Sequence, residues 1–222
     1  MRSIQRLVTL GAAAAAVVVL GACSAPSQEP SSATDVPPVP TVAAAGPTTP
    51  AVPGSTTAAE VFGPGCASLP TGDDPGSLSS MRLQPVAAAV ETNPELTTLN
   101  DLIGRANLAG PLNAAPELTV FAPTNDAFAK LPAEQRAALE ADPARLATVL
   151  EYHVSGTRAS AEELRAAGTS TELAGGQVRI GGTGDAMTVS DASGGTANVV
   201  CGNVPTGNAT VFLIDTVLVP QA

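Results

Sequence analysis

The chain contains no tryptophan, one tyrosine, one histidine and one lysine among its 222 residues. Aromatic residues make up 2% of it, although hydrophobic residues reach 44%. A core must therefore be built from Leu, Val, Ile and Ala. One histidine is too few for a multi-histidine metal centre, and no metal site is expected. Basic side chains are scarce as well: 10 Lys and Arg stand against 20 Asp and Glu, a formal charge of −10. Nucleic acid is recognised through a basic footprint, which this balance excludes. Gly182-Thr183-Gly184 lacks the third glycine and the following helix of a dinucleotide loop, so no cofactor is expected. Gly181-Gly182-Thr183-Gly184-Asp185 resembles one calcium-solenoid repeat, and a lone copy reads as a hairpin turn. Ser, His and Asp occur without a nucleophile elbow, so no catalytic residue is predicted.

What is present begins with an export signal. Arg2 and Arg6 precede an apolar run over residues 7–20, a charged region followed by a hydrophobic one. Leu20-Gly21-Ala22-Cys23 resembles a bacterial lipobox, which implies a signal peptide over residues 1–22 and a lipid on Cys23. Cleavage there leaves 8 basic residues against 20 acidic ones, a net −12. Membrane attachment of the mature chain must then be covalent, because no basic patch remains to hold anionic lipid. Residues 23–64 read as a disordered tether. Within it, residues 24–59 hold eight prolines (26, 30, 37, 38, 40, 47, 50 and 53) among Ser, Thr and Ala, without hydrophobic periodicity. Extended as polyproline, residues 24–59 reach about 110 Å. The pairs Thr48-Thr49 and Thr56-Thr57 are candidate O-glycosylation sites.

Two further cysteines, Cys66 and Cys201, are expected to pair, since an exported chain folds in an oxidising compartment. A bridge between them closes a loop that the chain-entropy model credits with about 5 kcal/mol as an upper figure. The remaining residues, 65–222, read as one folded domain. Residues 86–90 suggest a short helix. Asn93-Pro94 supplies an N-cap and a first-turn proline, with Leu96, Leu99, Leu102 and Ile103 following at helical spacing. Residues 118–122 read as a buried strand, residues 132–141 as a polar-faced helix, and Asp142-Pro143 as the cap of another. That last helix puts Leu146, Val149, Leu150 and His153 on one side, with Tyr152 offset and partly exposed. After Glu172 short β-rich runs alternate with Gly-rich turns, over residues 177–180, 187–190 and 198–201. The final run, residues 210–219, is apolar on both faces: Val211, Leu213 and Val217 against Phe212, Ile214 and Leu218. Such a strand belongs in the middle of a covered sheet. Helices first and strands later predict an α+β domain.

Three segments carry a family resemblance. Residues 119–128, TVFAPTNDAF, resemble the first signature of the fasciclin (FAS1) domain. Tyr152-His153 matches the Tyr-His motif of that family, and residues 211–220, VFLIDTVLVP, resemble its second signature. The surroundings of Cys66 and Cys201, together with Asn208-Ala209-Thr210-Val211, are similar to mycobacterial secreted and surface-lipoprotein fasciclin antigens. Nine arginines to one lysine, with abundant alanine, fit a GC-rich actinobacterial genome.

The resemblance implies a β-wedge with packed helices and a non-enzymatic role in cell adhesion or extracellular-matrix binding. It puts Tyr152 and His153 forward as candidate binding residues. The local pattern reads His153 as a hydrogen-bonded core residue instead. Phe121 and Phe128 are expected as core anchors. Thr124 and Asn125, after Pro123, are expected to bond the free N–H groups of the following turn. Asp215, inside an apolar run, needs a partner from the backbone or a hydroxyl near the first signature. The main expectation is a surface lipoprotein, on the outer membrane face or in the cell wall, adhering to extracellular or host matrix proteins. The alternative is an envelope carrier of a lipid or another apolar molecule in a groove of the domain. A structural or assembly role in the envelope is the third reading.

Overall fold

The structure, a computed structural model, describes residues 56–221. The expected signal peptide, Cys23 and nearly all of the proline-rich stretch lie outside the described residues. Eight helices and seven strands follow one another among those described. Four short helices come first: α1 (Leu78–Met81), α2 (Val86–Thr92), α3 (Thr97–Arg105) and α4 (Ala109–Ala114). Strand β1 (Leu118–Pro123) leads into α5 (Asn125–Ala129), α6 (Ala133–Ala141), α7 (Pro143–Glu151), β2 (Val154–Ser155) and α8 (Ala161–Ala167). The remainder is β3 (Thr169–Thr171), β4 (Gln177–Thr183), β5 (Ala186–Ser190), β6 (Thr196–Pro205) and β7 (Ala209–Ile214). The expected α+β class and β-wedge are what the chain adopts.

All seven strands join one sheet in the order β2-β1-β7-β6-β5-β4-β3. β7 runs parallel to β1, from Leu118 opposite Ala209 to Pro123 opposite Ile214, and antiparallel to β6. It is thus a central strand, and every residue in it is buried. Its alternate side chains enter two separate cores. Val211, Leu213 and, beyond the strand, Val217 join a cluster with Leu99, Ile103, Leu146, Leu150 and Phe128, under the helices. Phe212, Ile214 and Leu218 join the other, with Phe121, Tyr152, Leu164, Val178, Met187 and Val189. The two faces divide as the alternation predicts. The strand ends at Ile214, earlier than the apolar run: Asp215 N still donates to Asn198 O at 3.1 Å, but Asn198 N goes to the Asp215 carboxylate instead of a backbone carbonyl.

The helix caps follow from local chemistry. Asn93 accepts from Glu95 N at 2.9 Å, and Asp142 accepts from Ala144 N at 3.0 Å and Arg145 N at 3.2 Å. Ser160 and Glu163 form a reciprocal capping box at the start of α8, and Gly168 ends that helix in the left-handed region. In the Gly-rich half the expected turn over residues 181–184 is corrected. β4 continues through Gly182 and Thr183, which pair with Met187 and Ala186, so the turn shrinks to Gly184-Asp185. Gly182 is required there: a Cβ would lie 1.8 Å from the Ala186 carbonyl oxygen.

The described N-terminal segment is stitched across β6. Phe62 forms an isolated antiparallel bridge with Gly202, and Asn203 Nδ2 donates to Glu60 O at 3.1 Å. Cys66 and Cys201 are disulfide-bonded, with their Cα atoms 4.8 Å apart. Arg165 Cζ lies over the Phe62 ring, 5.0 Å from the ring centroid, and the ring leaves no room for a Cβ at position 202.

Candidate functional site

The candidate binding pair stands where α7 hands the chain to β2. α7 is held by its Asp142 cap and by Leu146, Val149 and Leu150 on the core side. Tyr152 keeps helical dihedrals and its N–H donates to Thr148 O, and one residue later the backbone amide of Phe121 in β1 donates to His153 O at 2.8 Å. The expected partial exposure is corrected: Tyr152 is 1% exposed, inside the wedge core. Its hydroxyl donates to Gln177 O at 3.4 Å. Burial holds the phenol above its ordinary value, the Asp191 and Glu172 carboxylates adding to the effect.

His153 is a core residue, as the apolar spacing suggests. Nδ1–H donates to Val149 O at 2.7 Å, and Nε2 accepts from Leu218 N at 3.0 Å. Those two bonds fix the tautomer and use both nitrogens. Burial takes the imidazole down from 6.5 to about 4, so it is neutral at pH 7. With both nitrogens committed, His153 has none left to serve as an external base or as a metal ligand.

Although adjacent in sequence, Tyr152 and His153 line different openings. His153 borders a cleft of about 110 Å³ between α3, α4, β1 and the α7–β2 junction. Its walls are aliphatic, from Leu99, Ile103, Leu112, Leu118, Val120 and Leu150. Leu173, which also lines it, is 53% exposed. Tyr152 borders a larger groove of about 1020 Å³, bounded by α6, α7, the β3–β4 and β5–β6 turns and the C-terminal segment.

The signature residues are structural in their bonding. Phe121 and Phe128 are buried, and Phe121 stacks at 5.7 Å on Phe212. Pro123 closes β1 opposite Ile214. Thr124 caps α5 by accepting from Ala127 N at 3.3 Å, as expected. Asn125 does something else. Its Oδ1 accepts from Thr98 N at 2.9 Å and its Nδ2 donates to Pro94 O at 2.9 Å, so it caps α3 across space instead of its own turn. Asp215 Oδ1 accepts from Asn198 N at 2.8 Å, and its Oδ2 receives Lys130 Nζ at 3.0 Å and Asn198 Nδ2 at 3.1 Å. Partial burial pushes this carboxyl upward, but the bonds from Asn198, Lys130 and Thr216 together outweigh it and bring it to about 2.

Glu172 and Asp191, which the sequence did not single out, matter here, as does Asn208 from a segment that carries the family resemblance. Glu172 is 3% exposed, and neither carboxylate oxygen has a hydrogen-bond partner. Burial raises it from 4.5 to about 7, against a weaker opposing pull from the nearby Ser170 hydroxyl. Asp191 organises the β5–β6 turn: Oδ1 accepts from Ser193 N and Gly195 N, and Oδ2 from Val219 N at 3.0 Å. Asn208 bonds Val86 N, Leu112 O and Ala115 O, so its amide is consumed inside the fold. Only Asp191, followed two residues later by Ser and then Gly-Gly, carries a local turn signal. Among the described residues no group of three His, Cys, Asp or Glu could hold a metal, and no helix is long and apolar enough to cross a membrane.

Comparison with known proteins places the whole domain. Residues 94–220 match the Fasciclin domain family. The chain is 42% identical over 219 residues to the cell surface glycolipoprotein MPB83 of Mycobacterium bovis, covering 95% of this chain and 93% of that one. It is 42% identical over 174 residues to the immunogenic protein MPB70 of M. bovis, covering 74% of this chain and 85% of that one. Human periostin is 28% identical over 133 residues, which is 60% of this chain and 15% of periostin. The sheet, the two cores and these similarities agree: the chain belongs to the fasciclin (FAS1) domain family.

Proposed function

We propose that the chain is a surface lipoprotein, anchored through Cys23, that displays a fasciclin domain over residues 65–222 for adhesion to extracellular or host matrix proteins. The name of the MPB83 relative, a cell surface glycolipoprotein, supports an outer-surface location. The match to periostin supports an adhesion-related role for the domain, and it spans only a small part of periostin. The role is non-enzymatic in this reading, in keeping with a histidine whose two nitrogens are both bonded internally.

The observation that carries the reading is Leu173. A large aliphatic side chain, half-exposed beside an aliphatic cleft, supplies a knob and a hole to a protein partner. The contact belongs to Leu173 and the cleft mouth, while His153 shapes the cleft from within and Tyr152 borders the other groove. The test is binding of the full chain to immobilised collagen and fibronectin. Leu173→Asp, at an exposed position, is expected to weaken binding at least about tenfold with the fold intact. Equal binding by the variant would remove this face from the contact, and no binding by the parent chain would remove adhesion to these matrix proteins. Cys23→Ala is expected to abolish lipid labelling and membrane retention.

A second reading, a carrier of an apolar molecule, is favoured by the large groove beside Tyr152. Its volume of about 1020 Å³ matches the upper end of small-molecule sites.

A further inference from the structure

The groove between α6, α7 and the C-terminal segment has an unusual electrostatic lining for this chain. The described domain is rich in acid, and α6 and α7 with their caps carry Glu134, Glu140, Asp142 and Glu151. None of these, and no other carboxylate side chain, lines the groove. Its one charged lining residue is Arg145. Among the described residues Arg145 forms no salt bridge, like every basic side chain except Arg105 and Lys130. Arg145 also sits in the first turn of α7, where the helix dipole disfavours a cation. Helix stability therefore gives no reason for an arginine there.

The other polar side chains of the lining are mostly spent. Thr148 Oγ1 donates to Ala144 O at 3.1 Å. Ser193 Oγ donates to Asp191 Oδ1 at 2.6 Å, and Gln221 Nε2 donates to Ala192 O at 2.7 Å. The Tyr152 hydroxyl goes to Gln177 O. Arg145 and Gln135 are left with unspent donors, above walls built by Leu131, Leu139, Val149, Val217 and Val219. Gly176 keeps the Tyr152 wall open, since a Cβ there would press to 3.3 Å on the tyrosine ring. One cation and one amide over an aliphatic floor complement a molecule with one anionic end and a hydrocarbon body.

We propose that this groove binds a single-chain anionic amphiphile, a carboxylate or a phosphate monoester, with Arg145 holding the head group and the apolar wall holding the chain. The proposal rests on the carrier reading and names its ligand. The chain supplies its own reporter, because Tyr152 is the sole tyrosine and there is no tryptophan. Tyrosine emission of the full chain is followed during titration with dodecanoate, dodecyl phosphate, dodecanol and dodecylammonium, each kept below its micelle concentration. The expected order has both anions tightest, dodecanol weaker and dodecylammonium weakest. Whichever anion binds more tightly identifies the head group. Arg145→Gln, at an exposed position, is expected to weaken dodecanoate binding about fivefold or more and leave dodecanol unchanged. Ala192→Phe, which fills the groove from an exposed turn, is expected to abolish all binding. If dodecanol equals dodecanoate, or if Arg145→Gln binds dodecanoate as tightly as the parent, the head-group assignment is overturned while a carrier of neutral apolar molecules stands. If no probe changes the emission, both fall.

Discussion

Strands β7 and β4 belong to one sheet and obey different rules. Every residue of β7 is buried, and its two faces feed two separate cores. β4 alternates at its start, with Val178 buried between exposed Gln177 and Arg179, and ends in glycines and threonine. A strand covered on both sides is specified residue by residue through side-chain volume. A strand covered on one side is specified through register, turn geometry and the few apolar side chains facing in. The inner strands β1 and β7 should therefore suffer most from lost volume, while the β3–β5 end should respond to turn and protonation chemistry.

The largest break in that comparison is Phe212→Ala. It removes a fully buried ring and its Phe121 contact, and should cost about 4 kcal/mol by urea unfolding. Arg179→Ala, on the exposed face of β4, should change stability by less than about 0.5 kcal/mol. Equal effects at the two positions would erase the distinction. The Cys66→Ala, Cys201→Ala double variant should cost roughly 3 to 4 kcal/mol, below the loop-entropy ceiling, measured against the parent under non-reducing conditions.

Protonation sharpens the contrast, because His153 and Glu172, one in each half, are buried groups displaced within the range from about 4 to about 7. His153, beside β1, binds protons more readily unfolded, so its contribution is complete above pH 6.5 and is lost as pH falls to about 4. Glu172, at the β3–β4 end, is protonated in the fold up to about pH 7, so its contribution is lost as pH rises from 4.5 through 7. Between about pH 4.5 and 6.5 the two slopes oppose each other, and the parent chain should be nearly flat in stability. Glu172→Gln should expose the histidine slope, a loss of roughly 2 to 3 kcal/mol on acidification across that window. It should also stabilise the chain at pH 8. A flat profile in the variant would refute this opposition. A smaller loss, about 1 kcal/mol, is expected for Asn125→Ala, read as loss of the α3 cap in thermal unfolding.

Legibility in the sequence follows the same division. The runs over residues 118–122 and 210–219 are readable because burial on both faces leaves an unbroken apolar string, and three signature segments lie in or beside these strands. α8 offers only Ala161 and Leu164 to the core, too few for a periodic signal. Its Ser160–Glu163 capping box and Gly168 stop were the marks available. α4, β2 and β3 are too short to show a period at all. Tyr152 stays on the helical path of α7, off the side carrying Leu146 and Leu150, and is buried because the wedge core covers that second side, a cover built by residues distant in the chain. Arg145, Leu173 and Glu172 carry no local pattern. What distinguishes them is what surrounds them in space, a groove, a cleft and a core, and residues far apart in the chain build each of these.

The bond between Cys66 and Cys201 also sets how the domain takes a pull. Tension arriving from the N-terminal side meets Cys66 and crosses at once to β6, bypassing the 135 positions that separate the two sulfurs in sequence. The helices and hairpins inside that loop cannot be unspooled from this end while the covalent tie holds. A pull between the N-terminal segment and the C-terminus therefore spares that loop, and only a reductant would let its thread run out.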